Sequence, residues 1–168
     1  NELGFSPALW GGLVSVGGIG AVLGAFLAVP AARRFGAGPS IIACFALTGA
    51  ATMLIPLAGG PVLLAVAYIG TAQLFGDTVA AIYSVNERSL RQSVTPDHLL
   101  GRAGATLEFL SAGIALLGAI VGGILGEIIG VRLTIAVGAA AVILGSLWML
   151  FSPVRSLRSI TEAAIEVG

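Results

Sequence analysis

The side chains that could do chemistry lie within an otherwise apolar stretch, about residues 62–83. They are Tyr68, Gln73 and Asp77. Gln73 and Asp77 are four residues apart, so they share one face of a helix. A carboxyl group in that setting can carry a proton or act as the counter-charge for a cation. It can equally be a neutral or hydrogen-bonded structural group, and the sequence leaves both interpretations open.

The residues of known catalytic and metal sites are missing from the 168-residue sequence. It has one histidine, His98, and one cysteine, Cys44, which are too few for a zinc or iron–sulfur site. It contains no phosphate-binding P-loop, no G-x-S-x-G elbow and no H-E-x-x-H pair. We therefore expect neither enzymatic activity nor a metal or other cofactor.

The composition indicates which elements must position the polar residues. Hydrophobic residues make up 57% of the chain and charged residues only 10%, against about 25% charged residues in soluble domains. The mean hydropathy is +1.05. So few charges cannot cover a water-facing surface, and we predict an all-α integral membrane protein.

Uncharged runs and turn residues predict five transmembrane helices. Each needs roughly 20 apolar residues to cross the bilayer. The predicted spans are about residues 8–29, 40–57, 62–83, 105–126 and 133–151, with a polar loop at 84–104 and a tail at 152–168. Within that loop, Thr95, Pro96 and Asp97 resemble the start of a short helix that runs into Leu99 and Leu100, with Thr95 as its N-cap.

The arginines predict which side of the membrane each loop faces. Seven of the eight follow the first, third or fifth span, and only Arg132 lies on the other side. Because short cytoplasmic loops are rich in basic residues, the N-terminus is predicted outside and the loop and tail in the cytoplasm. An N-terminus outside, with no leader to deliver it, further predicts that the sequence is the C-terminal part of a longer protein.

Small and polar residues suggest how the helices pack. Gly20 with Gly24, and Gly118 with Gly122, are spaced for close helix contact. Such smooth contacts could be purely structural or could also let helices slide. Glu108, near the start of span four, could pair with Arg102 or Arg91 as a clamp. Spans two and five have the fewest polar groups and are predicted to face lipid.

Several motifs resemble the major facilitator superfamily (MFS) of membrane transporters. The most specific is SLRQSVTPDHLLGRA at residues 89–103, which resembles the cytoplasmic loop after the tenth MFS helix, closest to drug exporters of the enterobactin- and macrolide-efflux type. Residues 3–7 (LGFSP), 24–27 (GAFL) and 33–36 (RRFG) are similar to the approach to the eighth helix, that helix and its basic loop. LGA at 117–119 with GG at 122–123 is similar to the eleventh. The resemblance covers essentially the whole chain as helices eight to twelve.

This resemblance implies a secondary active transporter of the bacterial plasma membrane, which exports a small molecule in exchange for protons by alternating access. The substrate would lie between this part and an N-terminal lobe, against the tenth helix with Asp77, Gln73 and Tyr68, while the ninth and twelfth helices face lipid. One departure is that residues 28–32 lack the acid of the family's inner-loop motif. Arg33 and Arg34 are therefore expected to set the orientation of the chain in the membrane rather than to gate transport.

A different class of function is also compatible with the sequence. The chain could be a non-transporting membrane scaffold, or a permease subunit that works with a separate ATPase. Transport that depends on ATP and resists proton uncouplers would favour this alternative.

Overall fold

The computed structural model describes residues 6–58 and 60–152, and these residues form helices joined by short turns, with no strand among them. The α-helices are α1 (Pro7–Phe35), α2 (Ala37–Thr52), α3 (Leu54–Leu57), α4 (Val62–Val94), α5 (Leu100–Ile129) and α6 (Val131–Met149). A single 3₁₀ turn, Asp97–Leu99, precedes α5. The tail from residue 153 onward lies outside the described residues.

Five helical segments are long and apolar enough to cross a membrane. They are Pro7–Phe35, Ala37–Leu57, Val62–Val94, Asp97–Ile129 and Val131–Met149. The second consists of α2 and the single-turn α3, which Met53 separates. The prediction of an all-α chain with five helices of membrane-spanning length is confirmed.

Most of the predicted loop at 84–104 is helical. α4 has 33 residues and is about 50 Å long, well beyond a hydrocarbon layer of about 30 Å. Glu87 and Arg91 form an ion pair on its last turns, with Nε and Oε1 3.5 Å apart.

The predicted role of Thr95 is wrong. Its hydroxyl donates to the Arg91 carbonyl oxygen at 2.7 Å, so it belongs to the end of α4, and Pro96 occupies the N-cap position of the next turn. A helical turn does begin at Asp97 and run into Leu99 and Leu100, as predicted. It continues directly into α5, because no residue between Leu99 and Ala105 breaks a helix as proline does.

Interhelical contacts give the direction of each helix. α1 and α4 run parallel, since Leu13 lies near Gly70 and the Ala28 carbonyl oxygen accepts a hydrogen bond from Asn86. α2 runs antiparallel to α4, as Phe45 stacks on Tyr83 with centroids 5.6 Å apart while Ala51 lies near Gly76. α2 is also antiparallel to α6: Phe45 approaches Gly145, and Gly49 approaches Ile143. The packed order is therefore α1, α4, α2, α6.

Contact of span two with lipid stays a prediction, but the span is more buried than its lack of polar groups indicates. Half of the sixteen residues of α2 are buried, because α2 lies between α4 and α6. The buried residues are Ala37, Gly38, Ser40, Ile41, Ile42, Cys44, Gly49 and Ala51. Apolar composition does not separate lipid contact from helix contact, since both surroundings are apolar. Small residues are the better indicator of helix contact, and α2 is rich in them.

The helix directions also gather five of the six described arginines at one end of the bundle. Arg33 and Arg34 end α1, Arg88 and Arg91 lie near the end of the parallel α4, and Arg102 begins α5. Arg132 begins α6 at the opposite end. Arg155 and Arg158 lie outside the described residues.

Candidate functional site

α1 and α4 meet along a glycine seam, which we define as Gly17, Gly20 and Gly24 of α1 against α4. All three glycines are buried. A Cβ built on Gly20 would lie 3.1 Å from the Leu74 carbonyl carbon, and one on Gly24 would lie 2.9 Å from the Thr78 carbonyl carbon. The two backbones are therefore in direct van der Waals contact, which only glycine permits here.

Gln73 and Asp77, which we call the polar pair, lie at the third glycine of this seam. A Cβ on Gly17 would overlap Asp77 Oδ2 and would lie 3.3 Å from both Asp77 Cγ and Gln73 Nε2. Both polar side chains are half-buried. The four-residue spacing thus places both on the face of α4 that meets α1.

Among the described residues, no hydrogen bond or ion pair reaches the Asp77 carboxylate. The nearest arginine further along α4 is Arg88, eleven residues away and about 16 Å along the helix axis. The bundle thus holds an acid at mid-height without a built-in counter-charge. Such a group is suited to bind a proton or an external cation.

Tyr68 does not join the polar pair. It packs on an apolar cluster formed by Leu13, Ala58, Ala65 and Ile69. Nine residues separate it from Asp77, which is two and a half helical turns and puts the two side chains on opposite faces of α4. The structure therefore divides the residues predicted for the substrate or proton pathway into two places.

The predicted clamp of Glu108 is not formed. Arg91 pairs with Glu87 instead, and in the described part of the chain Glu108 is exposed and pairs with neither Arg91 nor Arg102. Arg91 lines a recess of about 110 Å³ between the end of α4 and the start of α5. Arg102 borders a separate, shallower depression with Leu107.

The two predicted glycine pairs differ in their surroundings. Gly20 and Gly24 pack against α4, whereas no described atom of another helix lies within 4 Å of a Cβ built on Gly118 or Gly122. α5 has no buried residue at all. Its glycines are therefore available for contact with a helix outside the described chain, or with lipid.

Sequence reasoning missed Asn86, which is only 2% exposed. Its Nδ2 donates to the Ala28 carbonyl oxygen of α1 at 3.2 Å and to the Ile82 carbonyl oxygen of its own helix at 3.0 Å. The predicted third span ends at Tyr83, so Asn86 falls within the predicted loop at 84–104. An amide side chain within a continuous helix was the indication that could have found it.

We expect Asn86→Leu to weaken the contact between α1 and α4. Leucine keeps the branching of the side chain at Cγ but removes both hydrogen bonds, one of which joins the two helices. Interhelical hydrogen bonds in membrane proteins contribute about 0.6 kcal/mol on average and up to about 1.7. Asn86→Asp should destabilise more, because a carboxylate would face two carbonyl oxygens. Thermal unfolding of the purified protein in detergent measures both, with the exposed Gln92→Leu as control. Equal melting temperatures for Asn86→Leu and Gln92→Leu would contradict this role.

In the described residues, no three His, Cys, Asp or Glu side chains lie close enough together to hold a metal ion. What the site does contain is a carboxyl and an amide facing a bare glycine between two parallel helices. Comparison with known proteins adds nothing to this geometry: no family model, curated protein or solved structure matches the chain.

Proposed function

We propose that the chain is part of the C-terminal lobe of an MFS-type secondary active transporter in the bacterial plasma membrane. In this proposal it exports a small molecule, drug-like or siderophore-like, in exchange for protons. The five helices of membrane-spanning length support a multi-pass membrane protein. The motif at residues 89–103 supports the family.

The gathering of arginines at one end supports the proposed orientation. That end carries five of the six described arginines, and basic residues mark the cytoplasmic side of short loops. α1 and α4 then run from outside to inside, and the turn between α4 and α5 lies in the cytoplasm. The proposed N-terminus is outside and the proposed C-terminus is cytoplasmic.

The observation that carries the proposal is the unpaired carboxyl of Asp77 in the seam between α1 and α4. A carboxyl group binds either a proton or a cation, and the two compete for the same oxygens. Uptake of a proton from one side of the membrane therefore releases a cationic substrate. Loss of the proton on the other side restores the carboxylate, which can then bind the next substrate cation. This competition is the elementary requirement for exchange of protons against a substrate.

Alternating access also needs helices that can change their packing. The glycine seam lets α1 and α4 meet along smooth backbones, without interlocked side chains. The uncovered length of α5 offers a surface for further helices of the transporter. The substrate would lie between this lobe and the N-terminal lobe, and Gln73 and Asp77 would reach it from the contact between α1 and α4.

The energy source of transport tests the proposal. We expect the intact protein in everted membrane vesicles to export substrate when a pH gradient is imposed without ATP, and to stop when a protonophore is added. Vesicles without the protein are the control. Transport that requires ATP and survives the protonophore would contradict the proposal and favour a permease subunit of an ATPase. A complete lack of transport would favour a scaffold.

A further inference from the structure

We infer that Gly17 is a positioning residue for Asp77: its missing side chain leaves the recess that holds the Asp77 carboxyl between α1 and α4. The contact between Gly17 and the Asp77 carboxyl is seen directly in the structure. Its importance for transport rests on the proposed function. Nothing in the sequence distinguishes Gly17 from the neighbouring glycines of α1, since Gly11, Gly12, Gly18 and Gly20 all lie within seven residues of it.

The surroundings of Gly17 differ from those of the other two seam glycines. At Gly20 and Gly24 the atoms that a Cβ would meet include carbonyl groups of the α4 backbone. At Gly17 the three nearest atoms all belong to the side chains of Asp77 and Gln73. A methyl group at position 20 or 24 must push the helices apart, whereas a methyl group at position 17 must push out the carboxyl.

The recess at Gly17 fixes where the carboxyl can go. Asp77 Oδ2 occupies the volume of the absent Cβ, and Gln73 Nε2 reaches the same point to 3.3 Å. Gly17 thus leaves room for the carboxyl against the backbone of α1, on the same side of α4 as the Gln73 amide. Without the recess, the carboxyl would have to turn away from α1, and the position at which it meets a proton or cation would change.

Gly17→Ala in the intact protein tests this inference, with Gly18→Ala as the matched control. Gly18 is adjacent and exposed, and no described atom of another helix lies within 4 Å of its Cβ position. We expect Gly17→Ala to lower pH-gradient-driven export on the order of tenfold or more, since small displacements of an acting group have large effects. Gly18→Ala should export at the rate of the unmodified protein. Equal export by the two variants would overturn the inference.

A double-mutant cycle separates positioning of the carboxyl from general damage to the helix contact. Asp77→Ala removes the group that collides with a methyl at position 17. Gly17→Ala should therefore lower the melting temperature when Asp77 is present and leave it unchanged in the Asp77→Ala background. If Gly17→Ala alone does not fold, the double variant should restore folding. The same loss of stability in both backgrounds would overturn the inference.

The export assay and the stability cycle distinguish a failure of the proposed function from a failure of the role of Gly17. Loss of export in Asp77→Asn without stability coupling between positions 17 and 77 would retain the proposed function and reject the role of Gly17. Stability coupling with unchanged export in Asp77→Asn would reject both the proposed function and the role of Gly17 in it, leaving the contact as a packing feature.

Discussion

Asp77→Asn in the intact protein is expected to abolish export driven by a pH gradient. The amide has nearly the same size and shape as the carboxyl, so the contact with Gly17 is kept. It neither takes up a proton in the physiological range nor carries a negative charge. The competition between proton and cation at this position is thereby lost. Export by everted vesicles, driven by an imposed pH gradient, measures the effect.

The same variant should be at least as stable as the unmodified protein. An ionisable side chain inside an apolar bundle costs free energy, and Asp77 has no partner among the described residues to offset that cost. Loss of export together with an unchanged or higher melting temperature would identify Asp77 as functional. Asp97→Asn, at an exposed acid in the turn before α5, is the charge-matched control and should export normally. Normal export by Asp77→Asn would remove the carboxyl from the mechanism.

Gly24→Leu is expected to have the largest effect on stability. The position faces the α4 backbone so closely that even a Cβ would lie 2.8 Å from the Ala81 Cβ and 2.9 Å from the Thr78 carbonyl carbon. A rigid backbone cannot turn away as a side chain can, so α1 must move outward and lose its contacts along the seam. Overpacking of this kind costs about 1–3 kcal/mol and occasionally more, and thermal unfolding in detergent measures it.

Gly18→Leu is the matched control for that prediction. It lies on the same helix, faces away from α4 and has open space around its Cβ position. Any general effect of replacing glycine by leucine in a helix is shared by both variants. The difference between their melting temperatures therefore measures the effect of the contact at the glycine seam. A melting temperature of Gly24→Leu equal to that of Gly18→Leu would show that α1 and α4 do not pack through Gly24.

The number of helices and the grouping of arginines could be read from the sequence because both depend on composition along the chain. A run of about 20 apolar residues is a local property, and so is the position of Arg33 or Arg88 after such a run. The four-residue spacing of Gln73 and Asp77 likewise fixes their common face through helix geometry. These features need no knowledge of which helices touch.

Which helices pack together could not be predicted, because the same spacing of small residues occurs on several helices. Gly20 with Gly24 and Gly118 with Gly122 have the same spacing, yet only the first pair meets another described helix. The burial of α2, the separation of Tyr68 from the polar pair and the bond from Asn86 to α1 depend on the same undetermined neighbours. The order of residue types along the chain does not specify which helices become neighbours.

The sequence by itself therefore determined an all-α chain with five apolar helices, a basic end and an acid, Asp77, in the middle of one of them. Only the tertiary structure decided that α1 and α4 run in parallel contact, and that the acid lies over Gly17. The physical reason is that helix formation follows local hydrophobicity and backbone hydrogen bonding. The pairing of helices in an apolar setting depends on shape complementarity between distant segments, down to a single absent side chain.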